Sequence, residues 1–121
     1  STPLMLAAHR GHVDTVRYLV ESGGADPEAV DKFGRTPLHL ACMQGHFNVV
    51  YYLLAQGVDA DSEDSSSNRP SHYAAAFGFL PVLRLLVVMG KVDLSAVNVW
   101  HTSPLSIANL KGHFSVVKYI L

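Results

Sequence analysis

The chain has 121 residues, 49% of them apolar and 16% charged, and its nine basic and ten acidic side chains leave a net charge of −1. That length predicts one domain, and the composition can bury a substantial core and excludes disorder of the chain as a whole. Near-neutrality argues against a nucleic-acid binder, and a lone Cys42 supports neither an internal disulfide nor a multi-cysteine zinc site, so the expectation is an intracellular chain, cytoplasmic in the first instance.

The first segment, Thr2-Pro3-Leu4-Met5-Leu6-Ala7, sets a threonine before a proline and an apolar run. Threonine there caps a helix by accepting from a free amide of its first turn, and proline at the first helical position gives up only an amide that is unpaired anyway. Gly11 can end that helix in the left-handed conformation. A second helix follows through Val16-Arg17-Tyr18-Leu19-Val20, with Gly23 closing it. The same signals return at Thr36-Pro37-Leu38-His39-Leu40-Ala41, with Gly45, the apolar positions Val49, Val50, Leu53 and Leu54, and Gly57. They return again at Arg69-Pro70-Ser71-His72-Tyr73-Ala74, with Gly78 and Gly90, and at Ser103-Pro104-Leu105-Ser106-Ile107-Ala108, with Gly112. The prolines at 3, 37, 70 and 104 are spaced by 34, 33 and 34, the longer spacing arising where one residue (Gly24, Lys91) follows the closing glycine. Tyr73 to Gly90 is an 18-residue run with one charge, Arg84. Gly78, Pro81 and that arginine make it two short helices joined at Gly78 rather than a membrane span.

Four registered copies, the best of them running Asp31 to Ala41 and then Gly45-His46, resemble the ankyrin repeat, with its Thr-Pro-Leu-His-x-Ala block in a period near 33. The resemblance covers the whole chain. It implies an all-α repeat fold, an ankyrin-repeat solenoid of stacked helix-turn-helix units with hairpin-like loops and a concave face. The repeats fall at about 1–30, 31–63, 64–97 and 98–121, the first and last incomplete, as a piece of a longer array. The resemblance also implies a non-catalytic protein–protein interaction module, a scaffold or adaptor that binds through loop tips and exposed first-helix positions. Carried over by register, the loop tips are Lys32, Phe33 and Arg35, then Ser66 and Asn68, then Val99, Trp100 and Thr102. The first-helix positions are His9 and Arg10, Met43 and Gln44, Phe77, and Leu110 with Lys111. Aromatic and arginine side chains dominate binding hot spots, so Phe33, Met43, Phe77 and Trp100 form the expected anchor set. Two other readings stand beside this one: a structural stretch that self-associates weakly through apolar ends such as Val116 to Leu121, or a regulatory or targeting domain of a larger enzyme or channel.

The remaining chemistry is sparse. The motif histidines, His39 with His72 and His12, His46 and His113, are structural in the family, and stacked helices hold them too far apart for a metal. His9 and His101 fall outside the motif and are expected on the concave side. Cys42 stands where Ala8 and Ala75 stand in other copies, which makes it a small packed residue rather than a nucleophile. The acidic run from Asp59 to Asp64 lacks the glycine and the glutamate of a calcium loop. No cofactor, metal, small-molecule substrate or catalytic constellation is expected. The third copy is degenerate: Arg69 replaces the capping threonine, Ser71 the buried leucine, and Ser67 the loop glycine. Its linker, Ser62 to Asn68, is polar and small and is expected to be the most mobile stretch. Charge is uneven along the chain, −1 over residues 1–57, −3 over 58–69 and +3 over 70–121.

Overall fold

In the computed structural model, which describes residues 2–121, each sequence copy becomes two helices. They run α1 (Pro3–Arg10) and α2 (Val13–Glu21), α3 (Pro37–Gln44) and α4 (Phe47–Ala55), α5 (Pro70–Ala76) and α6 (Leu80–Gly90), α7 (Pro104–Leu110) and α8 (Phe114–Ile120). Tyr73 to Gly90 is therefore two helices joined at Gly78, and among the described residues no helix is long and apolar enough to cross a membrane. Helices this short are marginal alone, so stacking must hold them. α1, α3, α5 and α7 pack in an inner row, α2, α4 and α6 pack behind them, and each first helix packs on its own second helix. One apolar core runs between the rows, from Leu4 through Leu38, Leu53 and Leu83 to Val116, all essentially without exposure. Small residues let the inner row close up: Ala8, Ala41, Cys42, Ala75 and Ala108 are fully buried, which is the packed position expected for Cys42.

Helix starts follow the capping reading. Thr2 Oγ1 accepts from the Met5 amide at 3.1 Å, Thr36 Oγ1 from the His39 amide at 3.3 Å and Ser103 Oγ from the Ser106 amide at 3.2 Å. Arg69 has no acceptor on its side chain, so α5 loses that bond. The return bond survives: the Arg69 amide donates to His72 Nδ1 at 3.0 Å, as the Thr36 amide donates to His39 Nδ1 at 3.1 Å. Second-helix ends keep the expected glycine at Gly57 but depart from it at Gly23 and Gly90. The left-handed residue is Gly24 (φ 67°) in the first copy, Gly57 (φ 82°) in the second and Lys91 (φ 51°) in the third. Gly90 is instead the last residue of α6, so the residue that lengthens a copy is the one that makes its turn.

Ser71 is fully buried, and among the described residues its hydroxyl has no partner. A buried, unsatisfied polar group costs about 1–3 kcal/mol. Ser71→Ala removes that hydroxyl without adding volume and should stabilise the protein by about 1 kcal/mol. A thermal melt checks this, with a rise of about 4 °C expected; an unchanged or lower midpoint would mean that the hydroxyl is satisfied in solution.

Histidines stitch neighbouring copies in both directions. His39 Nε2 lies 3.0 Å from the Asn68 carbonyl and His72 Nε2 lies 2.9 Å from the Thr102 carbonyl, each reaching the next loop. His46 Nε2 and His113 Nε2 lie 2.9 Å from the His9 and Ala76 carbonyls, reaching back to the preceding inner helix. Loops repeat a second device. Asp31 Oδ1 accepts from the amides of Phe33 and Arg35 at 2.9 Å, Asp64 Oδ1 from those of Ser66 and Asn68 at 2.9 Å, and Asn98 Oδ1 from those of Trp100 and Thr102 at 3.0 Å. The residue that turns each tip is left-handed: Gly34 (φ 74°), Ser67 (φ 60°) and His101 (φ 58°). The tips also join one another, the Ser65 amide donating to the Phe33 carbonyl at 2.9 Å and the Val99 amide to the Ser66 carbonyl at 3.0 Å. The Ser62 to Asn68 linker, expected to be mobile, is thus bonded within itself and to the loops on both sides.

Candidate protein-binding face

The side chain two residues after each loop carboxylate or amide stands at the tip, which makes Phe33, Ser66 and Trp100 equivalent. Phe33 is half-exposed and Trp100 is 66% exposed, so the tryptophan does not fold back onto its neighbour. Small Ser66 leaves a notch between the two aromatic tips. Phe33 is held rather than loose: the Arg35 guanidinium carbon lies 4.8 Å from its ring centroid and Lys32 Nζ lies 5.2 Å from it, both within cation–π range. Arg35 is itself fixed, its Nε donating to Asp31 Oδ2 at 2.9 Å and its Nη1 lying 3.8 Å from the Met43 sulfur. Partial burial alone would raise the Asp31 carboxyl, but the Arg35 and Phe33 amides and the Arg35 guanidinium outweigh it and hold that carboxyl below its ordinary range. The fold thus gathers Lys32, Phe33, Arg35 and Met43 of the sequence-derived set into one cluster.

The other members lie along the inner row. Arg10, Gln44, Phe77 and Lys111 are register equivalents at the ends of the inner helices, and all four are exposed. Leu110 is 81% exposed. Gln44 Nε2 lies 3.3 Å from His9 Nε2, so His9 sits on this face as expected. Trp100 stands apart, separated from the Phe33 cluster by the middle loop.

Two grooves form where tips meet inner helices, so the face is concave there. One joins Leu6, His9 and Leu40 to Lys32, Phe33 and Arg35. The other joins Tyr73 and Phe77 to Ile107 and Lys111. Leu6 and Tyr73 are contributors that the sequence reading passed over. Leu6, Leu40, Tyr73 and Ile107 share one repeat position that is apolar or aromatic in every copy, exposed at Leu6, half-buried at Tyr73 and Ile107 and buried at Leu40, and that recurrence is the signal the sequence offers. Tyr73 is anchored, its hydroxyl donating to Asp64; burial first, and then that carboxylate, push the phenol up to about 12.

A larger hollow lies on the outer row between α2 and α4, and three of its polar side chains, Arg17, Glu21 and Tyr52, engage one another. The Tyr52 hydroxyl donates to Glu21 Oε2 at 2.8 Å, and the Arg17 guanidinium carbon lies 5.4 Å from the Tyr52 ring centroid. Among the described residues no three His, Cys, Asp or Glu side chains come together as metal ligands. Burial pushes the Cys42 thiol up, which keeps it protonated and a poor nucleophile.

Comparison with known proteins bears on the same repeats. A family model described as "Ankyrin repeats (3 copies)" matches residues 1–64. The chain is 50% identical over 120 residues to the poly [ADP-ribose] polymerase tankyrase of Caenorhabditis elegans, a match that takes in 99% of this chain but only 5% of that protein. It is 39% identical over 117 residues to the cyclin-dependent kinase 4 inhibitor B of Rattus norvegicus, covering 97% of this chain and 88% of the inhibitor. It is also 33% identical over 118 residues to the B-cell lymphoma 3 protein homolog of Mus musculus, covering 26% of that protein. A relative matched over most of its length and two others matched only in part thus share these repeat copies with the chain. On that ground, and on a helix-pair period kept in every copy even where the cap is lost at Arg69, the chain belongs to the ankyrin-repeat family of protein-interaction modules.

Proposed function

We propose that the chain binds a protein partner through the inner groove and the loop tips, without catalysing a reaction on it. The observation that carries this reading is the exposed but immobilised Phe33 cluster. An aromatic ring held by two cations, one of them fixed in turn by an aspartate and a thioether, loses little freedom on binding, and little of the interface energy is then spent on ordering it. Phe77, Leu110 and Trp100 extend the apolar contact along the groove. The test is a pull-down from cell lysate with the wild type and Phe33→Ala/Trp100→Ala, after melts show both folded. Loss of about 2 kcal/mol at each anchor would weaken capture at least about thirtyfold. A partner retained equally by both would move the site off these tips. A cyclin-dependent kinase belongs in the panel, because one relative of similar length is named as an inhibitor of such a kinase. A single, buried, unpaired Cys42 supports a reducing, intracellular setting.

A second reading rests on the α7–α8 end of the stack, where Leu105, Val97 and Ile120 line an open hollow and Leu121 is 87% exposed. Apolar surface there supports weak self-association. Mass measured over a range of concentrations tests it, and a monomer throughout would end it.

A further inference from the structure

Charge that is uneven along the sequence is segregated by face in the fold. The inner helices and loop tips hold Arg10, Lys32, Arg35, Arg69 and Lys111 against two carboxylates, Asp31 and Asp64. The other carboxylates of the described chain lie on the outer helices or on the part of the following loop before its tip, with four cations, Arg17, Arg84, Lys91 and Lys118, so the outer side carries eight acids against four bases. The two inner carboxylates are already engaged, Asp31 by Arg35 and two turn amides, and Asp64 by the Tyr73 hydroxyl and two turn amides. Arg69 is drawn to the outer side, with Nη1 3.4 Å from Asp61 and Nη2 3.8 Å from Glu63. Among the described residues, Arg10, Lys32 and Lys111 have no carboxylate within salt-bridge distance.

Two of these cations sit beside the apolar lining. Lys32 shares its groove with Leu6, Phe33 and Leu40, and Lys111 shares its groove with Tyr73, Phe77 and Ile107. Building on the binding reading above, we propose that the inner face takes an extended acidic segment of its partner, with carboxylates meeting Lys32 and Lys111 and apolar side chains between them on Phe33, Met43 and Phe77. The two lysines are two copies apart, roughly 20 Å along the stack, and Lys32 precedes α3 while Lys111 follows α7, which adds an inner-helix length of about 10 Å across it. The separation is then about 22 Å, and an extended chain rising about 3.3 Å per residue sets the matching carboxylates about seven residues apart.

The test is selection of a random peptide library on the folded array, with enriched peptides measured by fluorescence anisotropy. Lys32 and Lys111 are exposed, so Lys32→Glu/Lys111→Glu should melt like the wild type. The expected result is enrichment of acidic sequences with apolar residues between the charges. Their binding should weaken with added salt. It should fall about tenfold or more in the charge-reversed variant, and also fall in Phe33→Ala. Peptides that depend on Phe33 but carry no acidic bias would overturn the charge assignment and leave the inner-face reading standing. Acidic peptides insensitive to both variants would remove the site from this face altogether. Failure to enrich any sequence overturns the proposal, while the tip variant in the pull-down still judges the broader reading. Tight, salt-sensitive binding of a labelled single-stranded oligonucleotide in place of peptide would make the basic face a nucleic-acid site and would equally overturn it.

Discussion

Gly45→Ala should destabilise the array by about 3 kcal/mol, whereas Gly112→Ala should cost only about 1 kcal/mol. Both glycines end an inner helix in the left-handed region, at φ 71° and 77°. An L-residue in that conformation costs about 1–2 kcal/mol, partly offset because alanine restricts the unfolded chain. The positions differ in what faces them. A Cβ on Gly45 would lie 2.8 Å from the Phe79 ring, while a Cβ on Gly112 would meet nothing within 4 Å. The ring cannot retreat freely, because Phe79 packs against the core and its centroid lies 6.4 Å from that of Phe77 on the binding face. Forcing it aside adds about 1–3 kcal/mol of overpacking. Urea denaturation of the two variants measures the difference, and Gly45→Ala/Phe79→Ala completes a double-mutant cycle. Equal losses at the two glycines would remove the ring contact from the account. The same variant should also disturb partner binding through Phe77, an effect that Gly112→Ala should not share.

What the sequence made legible depended on how local each interaction is. The caps at Thr2, Thr36 and Ser103 join residues three apart, so residue type and spacing suffice to find them. The core followed from repetition, since an apolar position recurring in register must face the same side in every copy. The loop device at Asp31, Asp64 and Asn98 repeats as regularly and was still passed over. Its bonds run from a side chain to amides two and four residues on, and they form only when the residue between turns left-handed, a property that Ser67 and His101 do not advertise. Composition alone predicts a mobile linker from Ser62 to Asn68, because it reports a preference for water. It does not report that Phe33 and Val99 offer backbone partners from the neighbouring loops. The candidate site was legible position by position through the resemblance. The Phe33, Arg35 and Met43 cluster was not, because an arginine that bonds an aspartate, a ring and a sulfur at once is a three-dimensional fact. Charge behaved in the same way: segments of the chain differ in sign, but each repeat crosses from inner to outer face, and only the fold shows that the faces differ more consistently than the segments do.

His39→Leu should destabilise the protein by about 3 kcal/mol at neutral pH and flatten its response to acid. His39 is fully buried, and its ring serves both ends of a junction. Nδ1 accepts from the Thr36 amide at 3.1 Å, so the neutral ring carries its proton on Nε2 and donates to the Asn68 carbonyl at 3.0 Å. Leucine fills the space but leaves that amide and that carbonyl unpaired, at about 1–3 kcal/mol each. Protonation would place a second N–H against the Thr36 amide, and burial penalises the cation first; the Asn68 carbonyl and distant carboxylates offset this only in part. The His39 pKa therefore lies below its ordinary 6.5, and His72, buried with the same pair of bonds, is lowered likewise. In the unfolded chain both titrate near 6.5. Their contribution to stability is thus complete above that pH and declines below it, as the unfolded state binds protons that the folded state refuses, until the folded pKa is reached. Each histidine gives a slope of up to about 1.4 kcal/mol per pH unit in that window. Urea midpoints taken from about pH 8 to pH 5 should fall for the wild type and fall less steeply for His39→Leu. His39→Gln, which keeps an acceptor and a donor but does not titrate, should recover part of the stability while keeping the shallower slope. A wild-type slope unchanged by either variant would mean that the acid response originates outside this junction.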